Sequence, residues 1–244
     1  MAVIEETLSP GNNSGDARLQ AFRARLINGE ATLSEEQTVD LVCTGAELLD
    51  LLELDRPNQF PTWAGRIEGD LVIPAEVSFP NLHLARSSVL DGAFWLEGSF
   101  EYGSMFEGEI TGDFYCAPNS RLGEVVLNGR FGAAVETWAE SFNLSFGKSA
   151  RVSGACKIGG DVEAELIVLG ILENDLDLSR AKVHSFTLMD EGLIKGNLTL
   201  GGEFHQSVGV FGKVEGQIEI SGDFGEDLNI IPTNEAEVGR FSPH

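Results

Sequence analysis

Short apolar runs recur along most of this chain at a nearly constant interval, and most of them share one pattern. The pattern is apolar-x-Gly-x-apolar-x-apolar, and it first occurs from Ile67 to Ile73. Further copies run from Leu90 to Leu96, Ile110 to Cys116, Val152 to Ile158, Leu172 to Leu178, Ile194 to Leu200 and Val214 to Ile220. Asn174 replaces the glycine in one copy, and successive marker positions are 20 to 23 residues apart. This regularity predicts one structural unit that is used many times.

A second apolar pattern lies about half a repeat later. It consists of pairs two residues apart: Leu82/Leu84, Val125/Leu127, Phe142/Leu144, Leu166/Val168, Phe186/Leu188, Val208/Val210 and Leu228/Ile230. This alternation is typical of short strands with one buried face. Because so short a unit cannot bury its own apolar edge, it has to stack on its neighbours. The predicted fold is mainly β: a right-handed parallel β-helix (solenoid) of about eight coils of 20–23 residues, roughly 38 Å long.

Glycine at one fixed position of the repeat indicates a corner of each coil. Corners often need a positive φ angle, which glycine adopts freely and asparagine tolerates. The copy at Gly132 departs from the pattern, because Arg130, Ala134 and Glu136 fall on its core positions. We interpret this copy as an insertion or a bulged coil near Trp138.

The region before the repeats has a different character. Residues 1–15 are polar, which predicts a flexible N-terminus. Residues 16–62 place Leu19, Phe22 and Leu26 at helical spacing, and capping-box patterns begin at Ser34 and Thr44. We expect a small N-terminal helical cap there, because an open solenoid end exposes strand edges; a partner-binding helical module is the alternative. The β-solenoid is predicted to span 63–230, with a C-terminal tail at 231–244.

The chain is strongly acidic, since 39 Asp and Glu against 16 Lys and Arg give a net charge of −23. This balance argues against direct binding of nucleic acid and against docking on anionic membranes. No apolar run is long enough to span a bilayer, and no secretory signal is visible. Three cysteines, Cys43, Cys116 and Cys156, suit a reducing compartment. We expect a cytoplasmic protein, a monomer or homodimer, with Cys116 and Cys156 on inward core positions.

The tandem pattern resembles the right-handed β-solenoids of the pentapeptide-repeat proteins. Apolar residues recur in five-residue steps at Ile67, Val72, Val77 and Leu82, and again at Leu178, Val183, Leu188, Leu193 and Leu198. The resemblance covers roughly residues 66–230 and implies coils with four five-residue sides. The Ile/Val-x-Gly phrase is also similar to that of the bactofilins, which are polymer-forming β-solenoids. Both resemblances concern repeat style, so they imply a fold more than a function.

Catalytic motifs are sparse. The sequence contains no Gly-x-Gly-x-x-Gly, no Gly-x-Ser-x-Gly and no Cys-x-x-Cys. His184 and His205 are about one coil apart, so a metal held by this pair is an alternative. Acid clusters could also supply the carboxylate pair of a carbohydrate-active enzyme. We expect no enzyme, no cofactor and no metal, and we keep a carbohydrate-active or metal-dependent β-helix enzyme as the alternative.

The acids form the most informative pattern for function. Residues that flank the core positions have to face outward, and stacking would align them in one column: Glu68, Asp70, Asp91, Asp113, Glu173, Asp175, Asp177, Glu215 and Glu219. Trp95 and Tyr115 occupy one outward position on neighbouring copies, with Val72 and Val135 on either side. We predict that these acids and the two aromatic residues contact a protein partner.

Some pentapeptide-repeat proteins act as mimics of duplex DNA that bind DNA gyrase, and the resemblance extends this expectation to the acidic column. The sequence therefore predicts a non-enzymatic protein-binding module, an acidic inhibitor or DNA-mimic decoy that engages a basic surface of a DNA-handling protein. Its expected partner is a protein, in the most specific form of the hypothesis a DNA-binding enzyme. Two simpler hypotheses compete with it: the acids only keep a long rod soluble, or the chain is a self-assembling structural scaffold.

Overall fold

The computed structural model describes residues 13–56, 58, 60–225, 228–230 and 238–241. Within them the chain is mainly β, and its parallel strands stack as a β-solenoid of about nine turns. Three sheets, named A, B and C here, form the sides of this rod. A full turn passes through sheet A, then sheet C and then sheet B. The predicted parallel β-solenoid is confirmed.

The strands are short in sheets A and C and longer in sheet B. Sheet A contains β1 (Val42–Thr44), β3 (Arg66–Glu68), β6 (Val89–Asp91), β9 (Glu109–Ile110), β12 (Arg130–Phe131), β15 (Arg151–Val152), β18 (Ile171–Leu172), β21 (Leu193–Ile194) and β25 (Lys213–Val214). Sheet C contains β4 (Leu71–Ile73), β7 (Phe94–Leu96), β10 (Phe114–Cys116), β13 (Val135–Thr137), β16 (Cys156–Ile158), β19 (Leu176–Asp177), β22 (Leu198–Leu200), β26 (Ile218–Ile220) and β29 (Val238–Phe241). Sheet B contains β2 (Thr62–Trp63), β5 (Ser78–Leu84), β8 (Ser99–Phe106), β11 (Arg121–Leu127), β14 (Glu140–Phe146), β17 (Asp161–Val168), β20 (Lys182–Leu188), β23 (Glu203–Phe204), β24 (Val208–Val210), β27 (Asp223–Phe224) and β28 (Leu228–Ile230).

The interior of the rod consists of side-chain columns that take one residue from each turn. One column in sheet C is entirely buried: Leu71, Phe94, Phe114, Val135, Cys156, Leu176, Leu198 and Ile218. The Phe114 ring centroid lies 4.8 Å from that of Phe94, 5.0 Å from that of Phe106 and 5.8 Å from that of Phe131. Cys116 and Cys156 are buried, as predicted. Apolar side chains that alternate along each short strand therefore fill one continuous core.

The solenoid begins earlier than the sequence predicts. β1 lies inside the segment predicted as the helical cap, yet it pairs in parallel with β3 and places Cys43 opposite Ile67. β2 pairs with β5 in the same way, with Trp63 opposite Leu84. These strands contribute to the about nine turns where about eight were predicted. The sequence pattern missed them because helices interrupt this first turn, so its strands lack the usual spacing.

The turn that contains Gly132 is regular, so the interpretation of an insertion or bulged coil near Trp138 is wrong. Phe131 stands opposite Ile110, and Val135 stands opposite Phe114. Ala133 therefore occupies the corner position that Gly112 holds one turn earlier. The repeat pattern was aligned one residue too early, on Gly132, because the corner of this turn is occupied by alanine and not by glycine.

Close stacking, more than positive φ, explains the corner glycines. Among the described glycines, positive φ angles occur at Gly29 (70°) and Gly69 (76°). A Cβ added at Gly92 would lie 2.5 Å from the carbonyl carbon of Gly69, and one added at Gly112 would lie 2.7 Å from that of Gly92. Real Cβ atoms do not approach backbone so closely, so a side chain at Gly92 or Gly112 would push the stacked turns apart.

The predicted helical cap is present. It contains α1 (Asn13–Ile27), α2 (Glu35–Thr38) and α3 (Gly45–Leu54). The capping box at Thr44 is confirmed: Glu47 N donates to Thr44 Oγ1 at 3.3 Å, and Thr44 N donates to Glu47 Oε2 at 2.8 Å. Ser34 precedes α2, but its side chain makes no cap hydrogen bond. Leu48 and Leu51 of α3 are buried with the core of the first turns.

The predicted end segments lie partly outside the described residues. This holds for residues 1–12 of the predicted flexible N-terminus, and for 231–237 and 242–244 of the predicted tail. Part of that tail does continue the solenoid, because β29 pairs in parallel with β26. The repeat pattern did not indicate this strand.

The three cysteines should be inert toward thiol reagents in the folded protein. Cys43, Cys116 and Cys156 are all buried, and burial raises the pKa of each thiol far above its usual range. Because the thiolate is the reactive species, we expect no labelling by iodoacetamide at pH 8 in the native state. Mass spectrometry after brief labelling measures this, and the same reaction in denaturant, where all three should react, is the control. Rapid labelling of any cysteine in the native protein would contradict the burial described here.

Candidate functional site

The predicted acidic column is divided among three surfaces of the rod. At the corner between sheets A and C lie Asp70, Asp113 and Asp175. On or directly after strands of sheet A lie Glu68, Asp91, Glu173 and Glu215. On the outer side of sheet C lie Asp177 and Glu219. The chain turns between these positions, so the structure does not bring the nine acids together as one wall.

The three corner aspartates connect successive turns of the rod. Each side chain accepts a hydrogen bond from a backbone N–H of the next turn: Ala93 N to Asp70 Oδ1 (2.8 Å), Ala134 N to Asp113 Oδ1 (3.0 Å) and Asn197 N to Asp175 Oδ1 (2.7 Å). Such bonds satisfy backbone donors that the sheets leave unpaired at the corner. These acids therefore have a structural role, whatever else they contact.

Most of the predicted acids on sheet A are paired with cations. Asp91 pairs with Arg66, and Glu173 lies 3.0 Å from Arg151 Nη1 and also pairs with Lys195. Lys213 Nζ donates to Glu215 Oε1 at 2.8 Å and lowers the pKa of that carboxyl. Arginine and lysine alternate with the acids along this side, so its local charge is largely balanced.

The predicted aromatic edge exists on sheet C but has different neighbours. The ring centroids of Trp95 and Tyr115 lie 5.0 Å apart on adjacent turns, and Val72 stands opposite Trp95. Val135 was predicted beside Tyr115 and is instead buried, since the register pairs Tyr115 with Glu136. The one-residue shift at Gly132 explains this error, because it exchanges inward and outward positions in that strand.

The outer face of sheet B is shaped by β-bulges that the sequence did not indicate. In β8, Glu101 and Tyr102 together stand opposite Gly123 of β11. In β17, Glu163 and Ala164 together stand opposite Phe142 of β14. A bulge redirects the side chains of the extra residue. Tyr102, which belongs to the bulge of β8, is accordingly 68% exposed. Phe142, which stands opposite the bulge of β17, is 54% exposed.

Phe142 was predicted to point inward as a partner of Leu144, and this is wrong. The buried residues of β14 are Ser141, Leu144 and Phe146. Ser141 and Leu144 are both buried although they are three residues apart, so strict alternation does not hold across Phe142. Phe142 therefore belongs to the outer surface.

Exposed acids surround these bulges. We call the outer side of sheet B the acidic face, and define it by Glu101, Glu124, Glu140, Asp161, Glu163, Glu165 and Glu203. Arg121 Nε donates to Glu140 Oε1 at 3.1 Å and holds the pKa of that carboxyl below its ordinary value. Lys182 Nζ lies 3.5 Å from Glu203 Oε2. In the described part of the chain, Glu124, Asp161 and Glu165 have no ion-pair partner.

An apolar groove adjoins the acidic face next to the cap. It has a volume of about 490 Å³ and is lined by Phe60, Thr62, Asn81, Leu82, His83, Tyr102, Gly103, Ser104, Met105, Glu124 and Val126. Phe60 is 73% exposed and Met105 is 37% exposed. Gly103 supplies no side chain, which leaves the groove open beside Tyr102. A second hollow of about 200 Å³ lies around Phe142 between Glu101 and Glu163.

His83 is held in place at one side of the groove. Its Nε2 lies 3.1 Å from Glu107 Oε2, and its Nδ1 lies 3.4 Å from Thr62 Oγ1. Asn128 Nδ2 donates to Glu107 Oε1 at 3.3 Å. This network fixes the polar side of the groove across four successive turns of the solenoid.

Comparison with protein-family models, with curated proteins and with solved structures finds no match to this chain. His184 and His205 do lie on adjacent turns, where Gln206 N donates to the carbonyl oxygen of His184 at 2.7 Å. The described residues contain no group of three or more His, Cys, Asp or Glu that could hold a metal ion. Among the same residues, no helix has the length and hydropathy needed to cross a membrane.

Proposed function

We propose that this chain is a non-enzymatic protein-binding module whose acidic face engages a basic surface of its partner. The observation that carries the proposal is the concentration of exposed aromatic side chains, Tyr102 and Phe142, among acids on one outer face of the rod. Aromatic residues are enriched at the centres of protein interfaces, and surrounding charges select the partner. An acidic surface selects for lysine and arginine.

The acidic face replaces the predicted column as the contact surface for two reasons. The predicted acids on sheet A are largely neutralised by Arg66, Arg151, Lys195 and Lys213. The corner aspartates are engaged by backbone donors. Bound carboxylates attract a new cation less than free ones, because an existing partner has to be displaced or shared.

Inhibition of a DNA-handling protein is a specific form of this proposal and stays a prediction, as does the resemblance to pentapeptide-repeat proteins. The negative total charge of −23 favours it, because DNA-binding surfaces are rich in lysine and arginine. Assembly into an end-to-end scaffold has less support, since α1 packs on β1 and α3 packs on β4, the first strands of sheets A and C. A chain that assembles end to end would need the strands at its first turn to be free of a cap, so that another copy could pair with them.

Site-directed photo-cross-linking tests the proposal. The cross-linker p-benzoylphenylalanine replaces Phe142 on the acidic face, or Val72 on sheet C as the matched control, since both residues are exposed apolar residues of the solenoid. We expect position 142 to cross-link a basic protein in cell extract at low salt. The yield should fall at least tenfold near 1 M salt, where the Debye length is about 3 Å.

Charge reversal gives the second half of the test. Glu124→Lys with Glu165→Lys should abolish the cross-link at position 142, because both carboxylates lack an ion-pair partner in the described part of the chain. Glu68→Lys on sheet A should leave the cross-link unchanged. Cross-links from position 72 alone would assign binding to the predicted aromatic edge. A cross-linking yield at position 142 that changes neither with salt nor with the Glu124/Glu165 substitutions would overturn the proposal.

A further inference from the structure

The apolar groove has the dimensions of a site for part of a protein segment. Its volume of about 490 Å³ lies within the ~300–1,000 Å³ of typical ligand pockets. The outward positions Thr62, His83, Met105 and Val126 follow each other on four successive turns along its floor. At ~4.8 Å per turn this floor is about 14 Å long. The groove therefore runs along the rod axis, across the strands.

The walls of the groove are apolar and aromatic. Phe60 and Tyr102 are exposed by 73% and 68%, although large aromatic side chains are usually buried in soluble proteins. Met105, a flexible and polarisable side chain, is typical of surfaces that adapt to an apolar ligand. Together these side chains expose apolar surface to water, which is unfavourable, so its burial by a ligand would be favourable.

Negative charge borders this apolar surface. Glu124 lines the groove and is exposed, and Glu101 directly precedes Tyr102. No lysine or arginine of the described chain lines the groove. An apolar side chain that enters would leave its sequence neighbours beside these carboxylates, so cationic neighbours are favoured. The face of the Tyr102 ring would also attract a cation.

We propose that the groove binds an apolar anchor residue flanked by lysine or arginine in a short segment of the partner protein. This inference rests on the proposed function, because it assigns the anchor of the same basic partner to a site beside the acidic face. Tyr102 and Met105 contact the anchor, and Glu124 contacts the flanking cation. Buried apolar anchors beside charged contacts are the usual source of binding energy at protein interfaces.

Two other occupants fit the charge less well. A second copy of this chain would bring an equally acidic face against Glu101 and Glu124, and like charges across an interface are unfavourable. An anionic membrane surface would be repelled for the same reason. A basic protein segment is the occupant that satisfies both the apolar walls and the acidic border.

Two synthetic peptides test this inference on the full chain. Both are about ten residues long, the length of a helix that spans ~14 Å at 1.5 Å per residue, and both carry the same number of lysines. One has leucine and tryptophan between the lysines, and the other has serine and glycine there. We expect the leucine–tryptophan peptide to bind the unaltered protein at least tenfold more tightly in fluorescence anisotropy at low salt.

Matched variants separate the groove from the charge. Met105→Ser with Tyr102→Ser should remove the preference between the peptides, whereas Val72→Ser on sheet C should preserve it; all three residues are exposed, so each variant should keep the melting temperature of the unaltered protein. Glu124→Gln with Glu165→Gln should weaken both peptides about equally, by at least threefold. Thermal melts verify the fold of every variant.

The outcomes for the groove and for the proposed function differ. Equal binding of the two peptides, or a preference that survives the Met105/Tyr102 change, overturns the groove inference and leaves the acidic face as a charge-selective surface. Binding that is unaffected by the Glu124/Glu165 change overturns the proposed function. Failure of both peptides to bind overturns the inference and the proposed function together.

Discussion

Replacing Phe114 with alanine should lower the free energy of unfolding by about 3–5 kcal/mol, the range for deletion of a buried phenylalanine side chain. Phe114 is 1% exposed, and three other phenylalanine rings lie within 5.8 Å of its ring centroid. Turns above and below hold the backbone at a fixed spacing, so the cavity cannot collapse easily. Equilibrium urea unfolding followed by circular dichroism measures the change.

Phe142→Ala is the matched control, because it deletes the same side chain from the surface of the same rod. Phe142 is 54% exposed, so its loss should change stability by no more than about 0.5 kcal/mol. Similar destabilisation by the two substitutions, or a loss below about 1 kcal/mol for Phe114→Ala, would contradict the description of a continuous aromatic core.

The stacked fold was predictable because stacking produces a repeat in the sequence itself. Every turn places a residue such as Leu71, Phe94 or Phe114 in the same column, so the apolar positions recur with the length of a turn. No knowledge of distant contacts is needed to detect this period. The period is interrupted at β1, because a helix separates this strand from β3.

The outer surface was less predictable because it depends on register to within one residue. An error of one position at Gly132 placed Val135 outside the rod, while the structure buries it. The acids Asp70 and Glu68 are close in sequence, yet the corner between them sends them to different surfaces. Composition indicates that the rod is acidic, but pairing with cations on the next turn decides which acids stay free.

The bulges of sheet B left a weak signal in the spacing of core residues. From Phe79 to Leu82 and from Leu122 to Val125 the inward positions are three apart, whereas from Phe100 to Ser104 they are four apart. The extra residue belongs to the bulge at Tyr102. Because Ser104 is a small polar residue at a core position, the apolar pattern gave no reason to count this longer step.

Replacing Gly123 with alanine should destabilise the protein by about 3 kcal/mol, at the upper end of the usual cost of overpacking. An added Cβ would overlap the carbonyl group of Tyr102 and lie 3.0 Å from its Cα atom. These are backbone atoms of the bulge, which the neighbouring turns hold in place, so they cannot move aside cheaply. The bulge that exposes Tyr102 therefore requires a glycine on the next turn, and relief of the overlap should also distort the groove. Urea unfolding measures the stability, and binding of the leucine–tryptophan peptide reports on the groove.

Gly69→Ala separates this close approach from the general cost of losing a glycine. Gly69 has a φ of 76° and no neighbour within 4 Å of an added Cβ. Its substitution should therefore cost only the strain of a left-handed residue, about 1–2 kcal/mol, and leave peptide binding unchanged. If Gly123→Ala proves no more destabilising than Gly69→Ala and retains peptide binding, then contact between successive turns does not hold the bulge in position. Tyr102 would in that case owe its exposure to β8 alone.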